Sequence, residues 1–215
     1  MKPLTTTSYA LLALLARRSW SAYEMNKFMQ NSVLRAFWPR AESHVYSEPK
    51  KLLKQGLVTC TEEESGGRSR TVYHITQAGR EALGRWLAMP TNSYALQQFE
   101  GMVKFICADA TDVSAMRQNL YDIRRRALLD AREAVYGIEQ ATREEAPPGM
   151  SGMPFNAFAI NYLIDQIESR IRWVDQTIDV LNEMQDTHDN ADNRALGERF
   201  YDRAMQRLNH ILSAD

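Results

Sequence analysis

The residues in this chain best suited to chemistry are basic, and they come in two short clusters. One is "RAESHVYSEPKKLLK", residues 40–54, where Lys50, Lys51 and Lys54 follow Ser43, His44 and Ser47. The other is "EESGGRSR", residues 63–70, where Arg68 and Arg70 stand just beyond a glycine pair. Cations interleaved with small hydrogen-bonding side chains suit a polyanion. Ammonium and guanidinium groups neutralise phosphate, while hydroxyls and imidazoles can reach base edges. Other chemistries lack their parts. His74, His188 and His210 have no partners at ligand spacing. The two cysteines, Cys60 and Cys107, make neither a metal pattern nor a disulfide framework, so no metal and no cofactor is expected. No glycine-rich phosphate loop, nucleophile elbow or paired-carboxylate constellation appears, so the chain does not read as an enzyme.

Charge distribution points the same way. The formal net charge is −1, yet residues 1–90 hold 13 Lys and Arg against 7 Asp and Glu, and residues 91–215 hold 13 against 20. A basic first part joined to an acidic second part describes a polyanion-binding module on a different kind of partner. The apolar run "YALLALLA", residues 9–16, is well short of the roughly 18 residues of a membrane span. It is followed by Arg17 and Arg18 with no cleavage pattern. A cytoplasmic protein with no membrane partner is expected.

The elements that must hold the basic clusters follow from periodicity. Leu4, Tyr9, Leu11, Leu12, Leu14 and Leu15 predict a helix over residues 5–16, buried on more than one side, with Thr5, Thr6 or Thr7 as N-cap. Ser21 and Glu24 form a capping box for a second helix whose stripe is Tyr23, Met25, Phe28 and Met29. A loop with Phe37, Trp38 and Pro39 leads to a third helix, about Glu42 to Gln55, stopped by Gly56. On a helical wheel Val45, Pro49, Leu52 and Leu53 face a core. Arg40, His44, Ser47, Lys51 and Lys54 lie opposite, with Ser43 and Lys50 beside them. A proline inside a helix costs about 3 kcal/mol, so a bend between Val45 and Pro49 is expected. A break there, with Ser47 capping a new helix, would move His44 off the basic face.

The period then changes to two around Gly66-Gly67, with Val58 and Cys60 before it and Thr71, Tyr73 and Ile75 after it. This predicts a β-hairpin. Thr76 caps a fourth helix that Pro90 closes. Three helices, a two-stranded ribbon and a helix make a mainly α fold: an N-terminal winged helix-turn-helix at residues 1–90 with a two-stranded β wing.

Residues 91–215 read as a helical domain. Helices are expected over 96–108, 114–145 and 196–212, with a loop at 146–154 and a polar break at 185–193. Ala157, Ile160, Ile164, Ile167, Ile171, Val174, Ile178 and Leu181 are spaced 3 and 4 alternately, a heptad seam. The long helix from Ser114 can cover that seam as an antiparallel hairpin, and a second copy can bury what remains. A homodimer is therefore expected through Ile160, Ile164, Ile167, Ile171, Val174, Ile178 and Leu181. The alternative is a monomeric bundle closed by the last helix.

The motifs "TSYALLALLA", "SWSAYEM", "HVYSEPKKLLKQGLV" and "RTVYHITQAGREAL" resemble the PadR family of bacterial transcriptional regulators over the first 90 residues. Tyr46, Leu52, Gly56, Leu57 and Val58 match the family's pattern across the recognition helix. Pro49 stands where leucine is commoner. Tyr73, Thr76 and Gly79 match its Tyr-x-x-Thr-x-x-Gly pattern. The resemblance implies double-stranded operator DNA as partner, a Tyr46 hydroxyl at the DNA backbone, dimerisation through long antiparallel C-terminal helices, and release by a small aromatic or hydrophobic effector. Trp20, Phe37, Trp38, Trp86, Phe99, Phe105, Phe155, Phe158, Tyr162 and Trp173 are aromatics that could line an effector site or simply pack. The DNA-binding set is then Arg40, Ser43, His44, Tyr46, Ser47, Lys50, Lys51, Lys54, Arg68, Arg70 and Tyr73. Ser43, His44 and Ser47 are placed near bases, Lys50 and Lys51 at phosphates or guanine, and the arginines in the minor groove. Tyr46 and Tyr73 can equally be packing residues, and the lysines a solvated face. The rival function is a coiled-coil scaffold whose winged helix binds protein.

Overall fold

A computed structural model of the chain describes residues 3–38, 42–65, 68–91, 95, 98–142 and 154–213. Contacts divide the chain into two units: Met1–Tyr94 with Glu133–Leu163, and Ala95–Arg132 with Ile164–Asp215.

In the first unit, α1 (Thr6–Arg17) is capped by Thr5, whose hydroxyl accepts from the Ser8 amide while Ser8 caps back. Leu11, Leu12, Leu14 and Leu15 are all buried, which explains why the helix is apolar on several sides. α2 (Ala22–Asn31) starts at the expected box, with the Glu24 carboxylate accepting from the Ser21 amide at 2.8 Å. A four-residue helix, α3 (Leu34–Phe37), occupies part of the expected loop. α4 (Glu42–Lys54) runs unbroken through Pro49. It ends in a Schellman turn at Gly56, φ 72°: the Gly56 amide donates to the Leu53 carbonyl and the Leu57 amide to the Leu52 carbonyl, each at 3.0 Å.

The wing is β2 (Val58–Ser65) antiparallel to β3 (Arg68–Ile75), in register from Val58 opposite Ile75 to Ser65 opposite Arg68. A third strand, β1 (Trp20–Ser21), joins the far edge of β3 and was not legible as a period. α5 (Gln77–Leu87) begins at Thr76, whose hydroxyl accepts from the Gly79 amide and donates to the Gly56 carbonyl. The core of this unit gathers Leu11, Leu12, Leu15, Trp20, Met25, Val45, Leu52 and Val58, each at most 2% exposed. The Trp20 indole inside it donates to the Leu14 carbonyl at 3.0 Å.

The second unit holds α6 (Glu100–Ile106), a 3-10 turn at Ala108–Ala110, residues 113–132 of a long helix α7 (Val113–Thr142) and residues 164–183 of another, α8 (Phe155–Glu183). Arg124 pairs with Asp175 and Arg170 with Asp130, so the register runs antiparallel. Met116, Leu120 and Ile123 of α7 pack with Val174 and Leu181 of α8. The last helix, α9 (Ala191–Leu212), starts five residues before the expected position, because Asn190 caps it by accepting from the Asn193 amide. No residue of α9 is buried. Among the described residues, no helix is long and apolar enough to cross a membrane.

Candidate nucleic-acid interface

Val45, Glu48, Pro49 and Leu52 form the buried stripe of α4, at spacings of 3, 1 and 3 that keep them on one side of the helix. His44, Tyr46, Ser47, Lys50, Lys51 and Lys54 are exposed on the rest of its circumference. Leu53, expected in the core, is instead 37% exposed. Glu48 fills the inward arc at the other side of Pro49, so the stripe is one residue off the wheel drawn from apolar residues alone. Ser47 donates to the His44 carbonyl at 3.3 Å, a bond within a continuing helix rather than a new cap. His44 therefore stays on the exposed surface. Arg40 lies outside the described residues, as do the side chains of Ser43 and Arg68 and the Gly66-Gly67 tip.

The lysines are not equivalent. Lys51 Nζ lies 2.6 Å from Glu48 Oε2. Lys50 and Lys54 have no carboxylate partner among the described residues. Glu48 also accepts the Ser8 hydroxyl at 2.5 Å through Oε1. Burial opposes its ionisation, but the bonds from Lys51 and Ser8 outweigh it and hold the carboxyl below its ordinary range.

On the wing, Arg70 is tied down: Nη2 donates to Glu63 Oε2 at 2.8 Å, and Nη1 lies 3.7 Å from Glu24 Oε1. Glu62 accepts from Thr71 and Ser69, and those bonds lower its carboxyl pKa. Tyr73 departs from its expected contact with DNA. It is 5% exposed and packs in the core, where burial pushes its phenol above the ordinary range. His74 is bracketed by hydroxyls, Ser19 on Nδ1 at 2.6 Å and Thr61 on Nε2 at 2.8 Å. Among the described residues, no group of His, Cys, Asp and Glu could hold a metal ion.

The heptad seam is partly used within the chain. Ile167, Val174 and Leu181 are buried, while Ile160, Ile164, Ile171 and Ile178 are half-buried. Among the aromatics, Trp20 is core, Trp86 stacks on Tyr9 and Trp173 meets Phe105 edge-on. Phe99 packs against the buried cluster of Met116, Leu120, Ile123, Val174 and Leu181. Trp38 donates its indole N–H to the Thr7 hydroxyl. Phe155, Phe158 and Tyr162 are mostly exposed, and Phe37 contacts Tyr162.

Sequence reasoning missed Ser8 and Glu48. A buried serine in the first turn of an apolar helix and an acid inside a basic cluster were the available signals, but nothing local links them.

Residues 11–85 match the family model described as "Transcriptional regulator PadR-like family". The negative transcriptional regulator PadR of Bacillus subtilis is 22% identical over 179 residues, covering 81% of this chain and 96% of the relative. The crystal structure of Bacillus subtilis PadR in complex with operator DNA superposes with a TM-score of 0.71 at 17% identity, covering 82% of this chain and 99% of that one. The same protein in complex with p-coumaric acid gives a TM-score of 0.65 at 18% identity, covering 83% and 100%. With its helices and wing in the order of that fold, the chain carries a PadR-like domain over residues 11–85.

Proposed function

We propose that the protein is a homodimeric repressor that binds a near-palindromic operator in the cytoplasm. The observation that carries this reading is the exposed face of α4, which presents His44, Ser47, Lys50 and Lys54 opposite a fully buried stripe. A recognition helix reads bases with its first turns and meets phosphate further along. Ser43, His44 and Ser47 take the base-proximal role. Tyr46, 40% exposed, offers its hydroxyl to the backbone. Lys50 and Lys54 neutralise phosphates. Arg40 belongs to the same surface by sequence, and Arg68 and Arg70 serve the minor groove from the wing.

Dimerisation brings two such helices to half-sites about one DNA turn apart. The half-buried seam residues Ile160, Ile164, Ile171 and Ile178 contribute apolar area to that contact, as does the exposed face of α9. A small aromatic or hydrophobic effector, in keeping with the p-coumaric acid bound by the Bacillus relative, would release the operator by favouring one spacing of the heads. Selection of genomic fragments that the purified protein retains tests the reading directly. Recovery of a shared inverted repeat is expected; recovery of no enriched DNA sinks it in favour of a protein-binding scaffold.

A further inference from the structure

We infer that Glu48 is a positioning residue for DNA binding: it seats the recognition helix on the amino end of α1 and keeps Lys51 away from phosphate. This rests on the DNA-binding reading above.

α1 has no acidic residue in its first turn. Its amino end carries the partial positive charge of aligned peptide dipoles and favours an anion there. The anion comes instead from α4. Glu48, with 8% of its side chain exposed, reaches Ser8, which has no exposed surface, and accepts a hydrogen bond from its hydroxyl at 2.5 Å. This fixes the rotation of α4 about its own axis, since Glu48 lies next to the buried Pro49. Lys51, one turn further on, is the cation that balances the buried carboxylate, at 2.6 Å. Moving the ammonium to a DNA phosphate would leave a buried charge unpaired, which costs more than an exposed lysine–phosphate contact returns. Lys51 thus belongs to the scaffold, and the net cationic face of α4 is Lys50 with Lys54.

The test is the salt dependence of binding to a plain duplex of fixed length, with the full chain and single Lys→Gln variants. Each lost phosphate contact lowers the slope of log affinity against log salt by about 0.9. Lys50→Gln and Lys54→Gln should each show that loss per protomer. Lys51→Gln should leave the slope unchanged and lower the melting temperature. Glu48→Gln, which frees Lys51, should steepen the slope by about 0.9 per protomer, and the double variant with Lys51→Gln should not. Equal slope losses for Lys50→Gln and Lys51→Gln overturn the inference, as does an unchanged slope in folded Glu48→Gln. If Glu48→Gln does not fold, the Lys51→Gln slope decides alone. Wild-type protein that retains no duplex at all refutes the DNA-binding reading and this inference with it. Retention with equal slopes refutes only the inference.

Discussion

Ser8 and Glu48 meet across 40 residues of sequence, and the contact has consequences beyond DNA. Removing the Ser8 hydroxyl leaves a buried carboxylate oxygen short of a donor. Ser8→Ala is expected to cost about 1–3 kcal/mol, read as a lowered urea midpoint with an unchanged denaturant slope. Acid sensitivity follows from the same site. The Glu48 carboxyl is held below its ordinary value of 4.5 by bonds from Lys51 and Ser8 that outweigh burial. Glu24 is lowered likewise, its burial outweighed by bonds from Ser21 and by Arg70 and Arg18. A folded pKa below the unfolded one adds stability that is complete above the unfolded value and disappears as pH falls through the folded one. Thermal stability should therefore stay flat down to about the ordinary carboxylate range and fall below it. Glu48→Gln should make that fall shallower; an equally steep fall would show that Glu48 does not set it. None of this was legible in the sequence, because the partners sit on different helices and the carboxylate looked like one more charge in a basic cluster.

At the scale of elements, the Tyr73, Thr76 and Gly79 pattern proves to be construction rather than contact. Tyr73 fills the core, Thr76 caps α5 and ties it to Gly56, and Gly79 lies so close to the turn just before β2 that an added Cβ would sit 2.2 Å from the Leu57 carbonyl oxygen. Gly79→Ala must push the helix off the wing and should cost at least about 1–3 kcal/mol, measurable as a drop in melting temperature. The wing carries a different kind of pair. Arg70 with Glu63 is exposed, and such pairs contribute little to stability. Glu63→Gln should leave stability nearly unchanged while removing the nearer of the two carboxylates that hold Arg70, Glu24 remaining 3.7 Å away, so duplex affinity rises up to about five-fold; a fall in affinity would argue that Glu63 aims the arginine. Caps and the hairpin were readable beforehand because Thr5, Ser21, Thr76 and the switch of period at Val58 act locally. The four residues of α3 and two of β1 are too short to show a period. Leu53 was misplaced because a wheel drawn from apolar residues could not see Glu48 occupying the inward arc.

Over the whole molecule, the heptad seam offers a partner less than its length suggests. Ile167, Val174 and Leu181 are already buried within one chain, so a second copy must find other apolar surface. α9 offers such surface: Phe200, Tyr201, Met205, Leu208, Ile211 and Leu212 are 45–76% exposed on a helix with nothing buried. Exposed apolar area of this extent marks an interface. Sedimentation at micromolar concentration is expected to give a dimer, and Leu208→Asp with Ile211→Asp should shift it toward monomer and weaken operator binding; a wild-type monomer would refute the dimer. Contact between α4 and DNA through Lys50 and Lys54 has the most direct test of all. Affinity for a selected genomic fragment is measured across a salt series for the wild type and for the Lys50→Gln, Lys54→Gln double variant. The expected result is a slope shallower by about 1.8 per protomer with affinity lost at low salt, and an unchanged slope and affinity would contradict it.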